Sequence, residues 1–117
     1  MNGLYYSKRN EWVRFADQSV LIGITGRGLK GDVVYIELPE IGQHIKQGEP
    51  CATVESVKAD IEVASPVEGV VSAVNDTVYD DPDMIARDPM SVWLVKLDCG
   101  AEPDTEELLT EAEYTGL

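Results

Sequence analysis

Short runs rich in Val, Ile and Tyr alternate along the chain with Gly, Pro and Asn/Asp punctuation that recurs every 8 to 12 residues or so. A strand spans only a few residues before the backbone must turn, so this rhythm predicts an all-β sandwich or barrel. The predicted strands lie at 11–15, 19–25, 33–38, 50–57, 59–64, 69–74 and 92–97. Several, such as Val33-Val34-Tyr35-Ile36-Glu37-Leu38, are apolar on both faces, as expected between closely packed sheets. Helix signals are few. Asp81-Pro82 sets a cap residue before proline and opens a short turn through Arg87. Asp104-Thr105-Glu106-Glu107 has the cap-x-x-Glu form ahead of Leu108, Leu109 and Ala112. Those three apolar residues share one face of a helix over 104–114, which predicts a C-terminal helix packed on the β-core.

The pattern also contains an internal echo. Leu38-Pro39-Glu40-Ile41-Gly42 precedes Ile45, and Ser65-Pro66-Val67-Glu68-Gly69 precedes Val70, as two similar β-units related by pseudo-symmetry would produce. Pro-x-x-Gly is equally an ordinary turn.

Around Lys58 the pattern becomes chemically informative. Apolar residues alternate on both sides of 56–59 within Val54-Glu55-Ser56-Val57-Lys58-Ala59-Asp60-Ile61-Glu62-Val63-Ala64, which predicts a hairpin with Lys58 at its tip. Glu55, Asp60 and Glu62 surround a lysine whose immediate neighbours are small. A long stem on a protruding turn suits a tethered group that visits several active sites, because tethering raises its local concentration at each. The same carboxylates can steer a basic modifying enzyme to the turn. By spacing alone, a solvated lysine with weak salt bridges fits the pattern equally well.

Composition narrows the function classes. A length of 117 residues with 44% hydrophobic content suits one domain, expected to span 1–117, and no low-complexity or Ala/Pro-rich linker interrupts it. With 22 acidic against 9 basic residues, the net charge of −13 argues against nucleic-acid binding and for protein partners. No apolar run approaches the roughly 20 residues of a membrane span, and the first residues lack the plan of a secretory signal, so a soluble cytoplasmic monomer is expected. Cys51 and Cys99 have neither paired nor metal-ligand spacing and are expected to be packing residues. His44 is the only histidine, which removes Ser-His and Cys-His catalysis and leaves too few ligands for zinc. Trp12 and Trp93 read as core anchors. Gly26-Arg27-Gly28-Leu29-Lys30-Gly31 satisfies G-x-G-x-x-G, but a strand follows where a dinucleotide site needs a helix.

Ordered motifs along nearly the whole chain resemble the H protein family of the glycine cleavage system. Glu11-Trp12-Val13-Arg14 is similar to that family's His-Glu-Trp-Val stretch. Gly23-Ile24-Thr25, Gly31-Asp32-Val33-Val34 and Glu37-Leu38-Pro39 follow in family order. Val54-Glu55-Ser56-Val57-Lys58-Ala59 resembles the lipoylation segment, and Ser65-Pro66-Val67-x-Gly69, Asp88-Pro89, Trp93-Leu94-Val95-Lys96 and Leu108-Leu109 complete the series. The resemblance implies a lipoyl/biotinyl-type barrel-sandwich hybrid and a carrier without a catalytic site of its own. Lipoate would be bound as an amide on Lys58. Biotin is disfavoured, since biotin carriers usually set their lysine between methionines, whereas Val57 and Ala59 stand here. Lipoyl domains of 2-oxoacid dehydrogenase acyltransferases share Lys-Ala and something like Ile61-Glu62-Val63, but normally come with linkers and further domains.

The partners so implied are a pyridoxal-phosphate glycine decarboxylase, a folate-dependent aminomethyltransferase, a flavin-containing dihydrolipoamide dehydrogenase and a lipoate-attaching enzyme. The resemblance further implies that the aminomethyl-loaded arm folds into a cleft holding its ammonium with Glu11, Glu62 and Ser65; Glu55 and Asp60, by their charge beside the turn, are expected to face the attaching enzyme. The chain departs from the pattern at Arg9, Asn10 and the shortened 26–30 segment, where the family carries a short helix. Those departures admit an alternative, an H-protein-like lipoyl carrier serving lipoate relay or redox stress. A third class is an unmodified interaction domain with Lys58 a plain surface residue.

Overall fold

The computed structural model describes residues 2–29, 31–100 and 107–117. Among the described residues nine strands form two sheets: β1 (Asn2–Tyr6), β2 (Glu11–Ala16), β3 (Ser19–Ile24), β4 (Val33–Glu37), β5 (His44–Ile45), β6 (Pro50–Ser56), β7 (Asp60–Ala64), β8 (Gly69–Val74) and β9 (Val95–Asp98). The larger sheet runs β1-β2-β3-β9-β8-β5, and the smaller runs β4-β6-β7, with every pairing antiparallel. Among the same residues two short α-helices, α1 (Met84–Arg87) and α2 (Glu111–Thr115), lie outside the sheets. No helix among the described residues is long and apolar enough to cross a membrane.

One core fills the space between the sheets. It draws Val13, Phe15, Val20, Ile22, Val71 and Leu97 from the larger sheet and Ile36, Val54 and Val63 from the smaller. Full burial of each such side chain is worth about 1.5–3 kcal/mol, so the six inward residues of β2, β3, β8 and β9 and the three of the small sheet hold the layers together. A second cluster of Tyr6, Trp12 and Tyr114 covers the other face of the larger sheet, where Leu109 and Trp93 pack against it.

The structure differs from the predicted elements in several places. Strand β1 replaces what sequence patterning left blank, and β5 is only two residues long. The strand expected at 92–97 starts at Val95; Leu94 is tied outside the regular ladder, donating to Ile22 O and accepting from Asn75 N. As expected, a strand (β4) follows the 26–28 stretch, which forms a single 3-10 turn, so the glycine pattern opens no nucleotide-binding helix. The C-terminal helix is shorter and later than 104–114. Residues 104–106 lie outside the described residues. Leu108 and Leu109 are not helical, and Leu109 bridges to Tyr6 in antiparallel fashion. The helix starts after Thr110, whose hydroxyl accepts from Glu113 N while the Glu113 carboxylate accepts from Thr110 N. Two cap-x-x-Glu signals stand in this stretch, and the second opens the helix.

The sequence echo has a structural counterpart: His44 pairs with Val70 and Ile45 with Gly69, so the two repeated segments end in strands that lie side by side.

Trp12 is fully buried, and its indole Nε1 donates to Pro89 O at 2.9 Å. Its register partner is Gly23, where an added Cβ would stand 2.3 Å from the Trp12 ring. Glycine there lets the ring lie across β3. Replacing Gly23 by Ala should therefore cost about 1 to 3 kcal/mol of overpacking strain, read as a lower urea midpoint with an unchanged m-value.

Candidate functional site

Strands β6 and β7 form the hairpin expected from the alternation, with Val57-Lys58-Ala59 at its tip. Ser56 closes the turn three ways. Its amide and hydroxyl both donate to Ala59 O (3.0 and 2.6 Å), and its hydroxyl accepts from Ala59 N (3.2 Å). A rigid tip results without Asn-Gly chemistry, because a serine side chain can mimic a backbone turn partner. The tip is also braced from outside, since Val57 N donates to Asp32 O at 3.1 Å. Gly31, at φ +92°, lies beneath it; a Cβ there would meet Val57 Cγ2 at 3.0 Å and the Lys58 stem at 3.7–3.8 Å. Lys58 is exposed.

The register sets the carboxylates in rows on the outer face of the small sheet. Tyr35, Glu55 and Asp60 are neighbours across the three strands, and Glu37, Thr53 and Glu62 form the next row. Glu55 and Asp60 therefore flank the base of the tip, the position from which they can steer a basic protein toward Lys58. Glu62 belongs to this exposed face. It is not among the residues lining the cleft described next, so the structure separates it from Glu11 and Ser65.

At the opposite end of β7 lies a cleft of about 550 Å³ lined by Ser7, Arg9, Glu11, Ser65, Leu108 and Leu109, among others. Asp60 and Ala64 are four residues apart, so the rise of a strand separates tip and cleft by about 13 Å along β7. Glu11 is only 3% exposed. Its Oε1 accepts from Ser7 Oγ at 2.7 Å and its Oε2 from Ala64 N at 3.2 Å. Ser7 Oγ in turn accepts from the amides of Arg9 (3.2 Å) and Glu11 (3.1 Å). Sequence reasoning missed Ser7; its only signal was a hydroxyl four residues before a buried acid. Ser65 is buried beside the cleft, but its hydroxyl proton is committed to Val67 O at 2.5 Å.

Burial raises the Glu11 carboxyl above its ordinary value, against the opposing effects of Ser7, the Ala64 amide and the Arg9 charge. Burial, then the charge of Glu11, pushes the Cys51 thiol up to about 12. Among the described residues no three His, Cys, Asp or Glu side chains gather as metal ligands.

Because the folded Glu11 binds its proton more tightly than the unfolded chain does, its contribution to stability is largest below the unfolded value. That contribution is lost as pH rises through the folded value. The stability of the wild type relative to Glu11→Gln should consequently increase as pH falls from 7 to 4, measured by urea unfolding at each pH. A difference independent of pH would contradict the raised carboxyl.

A family model described as "Glycine cleavage H-protein" matches residues 4–117. The glycine cleavage system H protein of a Thermoanaerobacter species is 40% identical over 116 residues, covering 97% of this chain and 92% of its own. A probable glycine cleavage system H protein of Pyrococcus abyssi is 43% identical, covering 96% and 87%. The crystal structure of a glycine cleavage system H protein from Mycobacterium marinum superposes with a TM-score of 0.87 at 35% identity, covering 99% of this chain and 96% of that one. The two-sheet fold, the order of the motifs and these matches together make the chain a member of the glycine cleavage H-protein family.

Proposed function

We propose that the protein is a single-domain lipoate carrier of the glycine cleavage system, with the lipoyl group attached as an amide to Lys58. The observation that carries this reading is the exposed Lys58 on a turn locked by Ser56 and braced by Asp32. A rigid tip presents the lysine to an attaching enzyme, and Glu55 and Asp60 at its base favour a basic partner surface.

The cleft fits such an arm. Leu108, Leu109, Ala64 and Pro66 supply an apolar wall for an acyl chain, and Glu11 lies among them as a buried carboxyl group. Each Glu11 oxygen accepts one described hydrogen bond and can accept another, so the carboxylate can take an ammonium. Ser7 and the Ala64 amide orient it for that contact. When bound, lipoate supplies a disulfide that can be reduced and loaded with the aminomethyl group. The chain's own residues then shelter the load, Glu11 pairing its charge and the apolar wall excluding water. In this reading Glu62 belongs to the partner-facing surface beside Glu55 and Asp60. Glycine decarboxylase, aminomethyltransferase and dihydrolipoamide dehydrogenase are the enzymes the arm would visit, and the carrier performs none of their steps.

A second reading rests on Arg9. Its guanidinium lines the cleft where the family has a small polar residue, and its positive charge opposes an incoming ammonium. That favours an H-protein-like carrier in lipoate relay or redox stress. Reconstitution of the lipoylated protein with glycine decarboxylase decides between them. Exchange of labelled bicarbonate into glycine should exceed the carrier-free control by orders of magnitude and vanish in Lys58→Arg. Exchange at the control level would support the second reading.

A further inference from the structure

The stretches that depart from the family pattern, Arg9-Asn10 and the 3-10 turn Gly26–Gly28, meet at one side chain, Tyr114. Arg27, though exposed, lies against the end of α2: Nη1 donates to Tyr114 O at 2.8 Å and Nη2 to Thr115 O at 3.2 Å. Its guanidinium carbon also lies 4.7 Å over the Tyr114 ring. A cation on the last carbonyls of a helix is favoured by their partial negative charge, and a planar guanidinium can bind two carbonyls while stacking on a ring.

Tyr114 is tied on every side. Its hydroxyl donates to Asn10 Oδ1 at 2.8 Å and accepts from Thr25 Oγ1 at 2.6 Å, and its ring stacks on Tyr6 with centroids 4.6 Å apart. Asn10 holds φ at 68°, a left-handed conformation that asparagine tolerates, and Gly28 packs beneath it, with no room for a Cβ against Ile24. Tyr6 then carries the connection to the cleft. It exchanges both backbone hydrogen bonds with Leu109 (2.8 and 2.7 Å), and Leu109 with Leu108 and Glu107 forms one cleft wall. The next residue, Ser7, holds Glu11 on the facing side.

We propose that Arg27 is a positioning residue for the cleft: clamped on the α2 carbonyls, it fixes Tyr114 on Tyr6 and so holds the 107–109 wall against Ser7 and Glu11. The consequence, resting on the lipoate-carrier reading, is that Arg27 sets how long a loaded arm stays sheltered. Through Arg27 the 26–28 turn thereby acts on the cleft.

Amide hydrogen exchange on the unmodified protein tests the clamp without any cofactor. Arg27→Ala removes two charge-assisted hydrogen bonds and a ring contact, and should speed exchange at Tyr6, Leu109 and Glu11 by about tenfold or more while leaving Ser56 and Val57 unchanged. Arg27→Lys should restore part of the protection, since it keeps the charge without the fork. Faster exchange confined to α2 would overturn the proposal. For lipoylated protein loaded with the aminomethyl group, intact mass followed over time should show several-fold faster loss of the load in Arg27→Ala. Loss at the wild-type rate despite an opened wall would overturn the sheltering role. A wild-type protein that accepts no load would contradict the carrier reading alone, and the exchange data would still decide the clamp.

Discussion

The structure turns on a buried carboxylate at the seam of two sheets. Glu11 begins β2 of the larger sheet and binds the amide of Ala64, the last residue of β7 in the smaller one. An ionised group removed from water costs several kcal/mol unless hydrogen bonds replace its hydration, so the Ser7 hydroxyl and the Ala64 amide are obligatory partners. That requirement fixes where the hairpin leaves the body. With the Ala64 end pinned and Val54 and Val63 sunk in the core, the β6–β7 pair can only project its Lys58 end into solvent.

The hairpin thus has two chemically distinct ends joined by one strand. The tip is exposed, acid-flanked and stiff, suited to contact with other proteins. The seam end is recessed and partly apolar, with a single charge held inside. On the proposed reading the attached arm belongs to both: it is built and exchanged at the tip and sheltered at the seam. The net charge of −13 is expressed on the outer face of the small sheet by Glu55, Asp60, Glu37 and Glu62, whereas the cleft lining sets the cationic Lys8 and Arg9 beside Glu11.

What the sequence disclosed follows from how local each signal is. The β6–β7 hairpin and its tip were legible because alternation on both arms needs only neighbouring residues. Strand β1 was not, because Asn2-Gly3 breaks the run and its order comes from pairing with β2. The C-terminal helix was displaced in prediction because Asp104 and Thr110 offer the same capping spacing, and the choice is made by Leu109 bridging to Tyr6, far away in sequence. In the same way Glu62 reads as near Ser65 along the chain, yet strand alternation sends its side chain to the outer face while Ser65 is buried at the seam. Ser7 and Arg27 were illegible as site residues. Each acts through a contact, with Glu11 and with Tyr114, that only the folded chain creates.

The central claim is the chemistry of Lys58, and it can be measured without any partner of the cleavage reaction. Protein produced with lipoate and a lipoate-attaching enzyme should gain the mass of one lipoyl amide, mapped by peptide fragmentation to Lys58 and absent from Lys58→Arg. An unshifted mass, or a shift that persists in Lys58→Arg, would contradict the account.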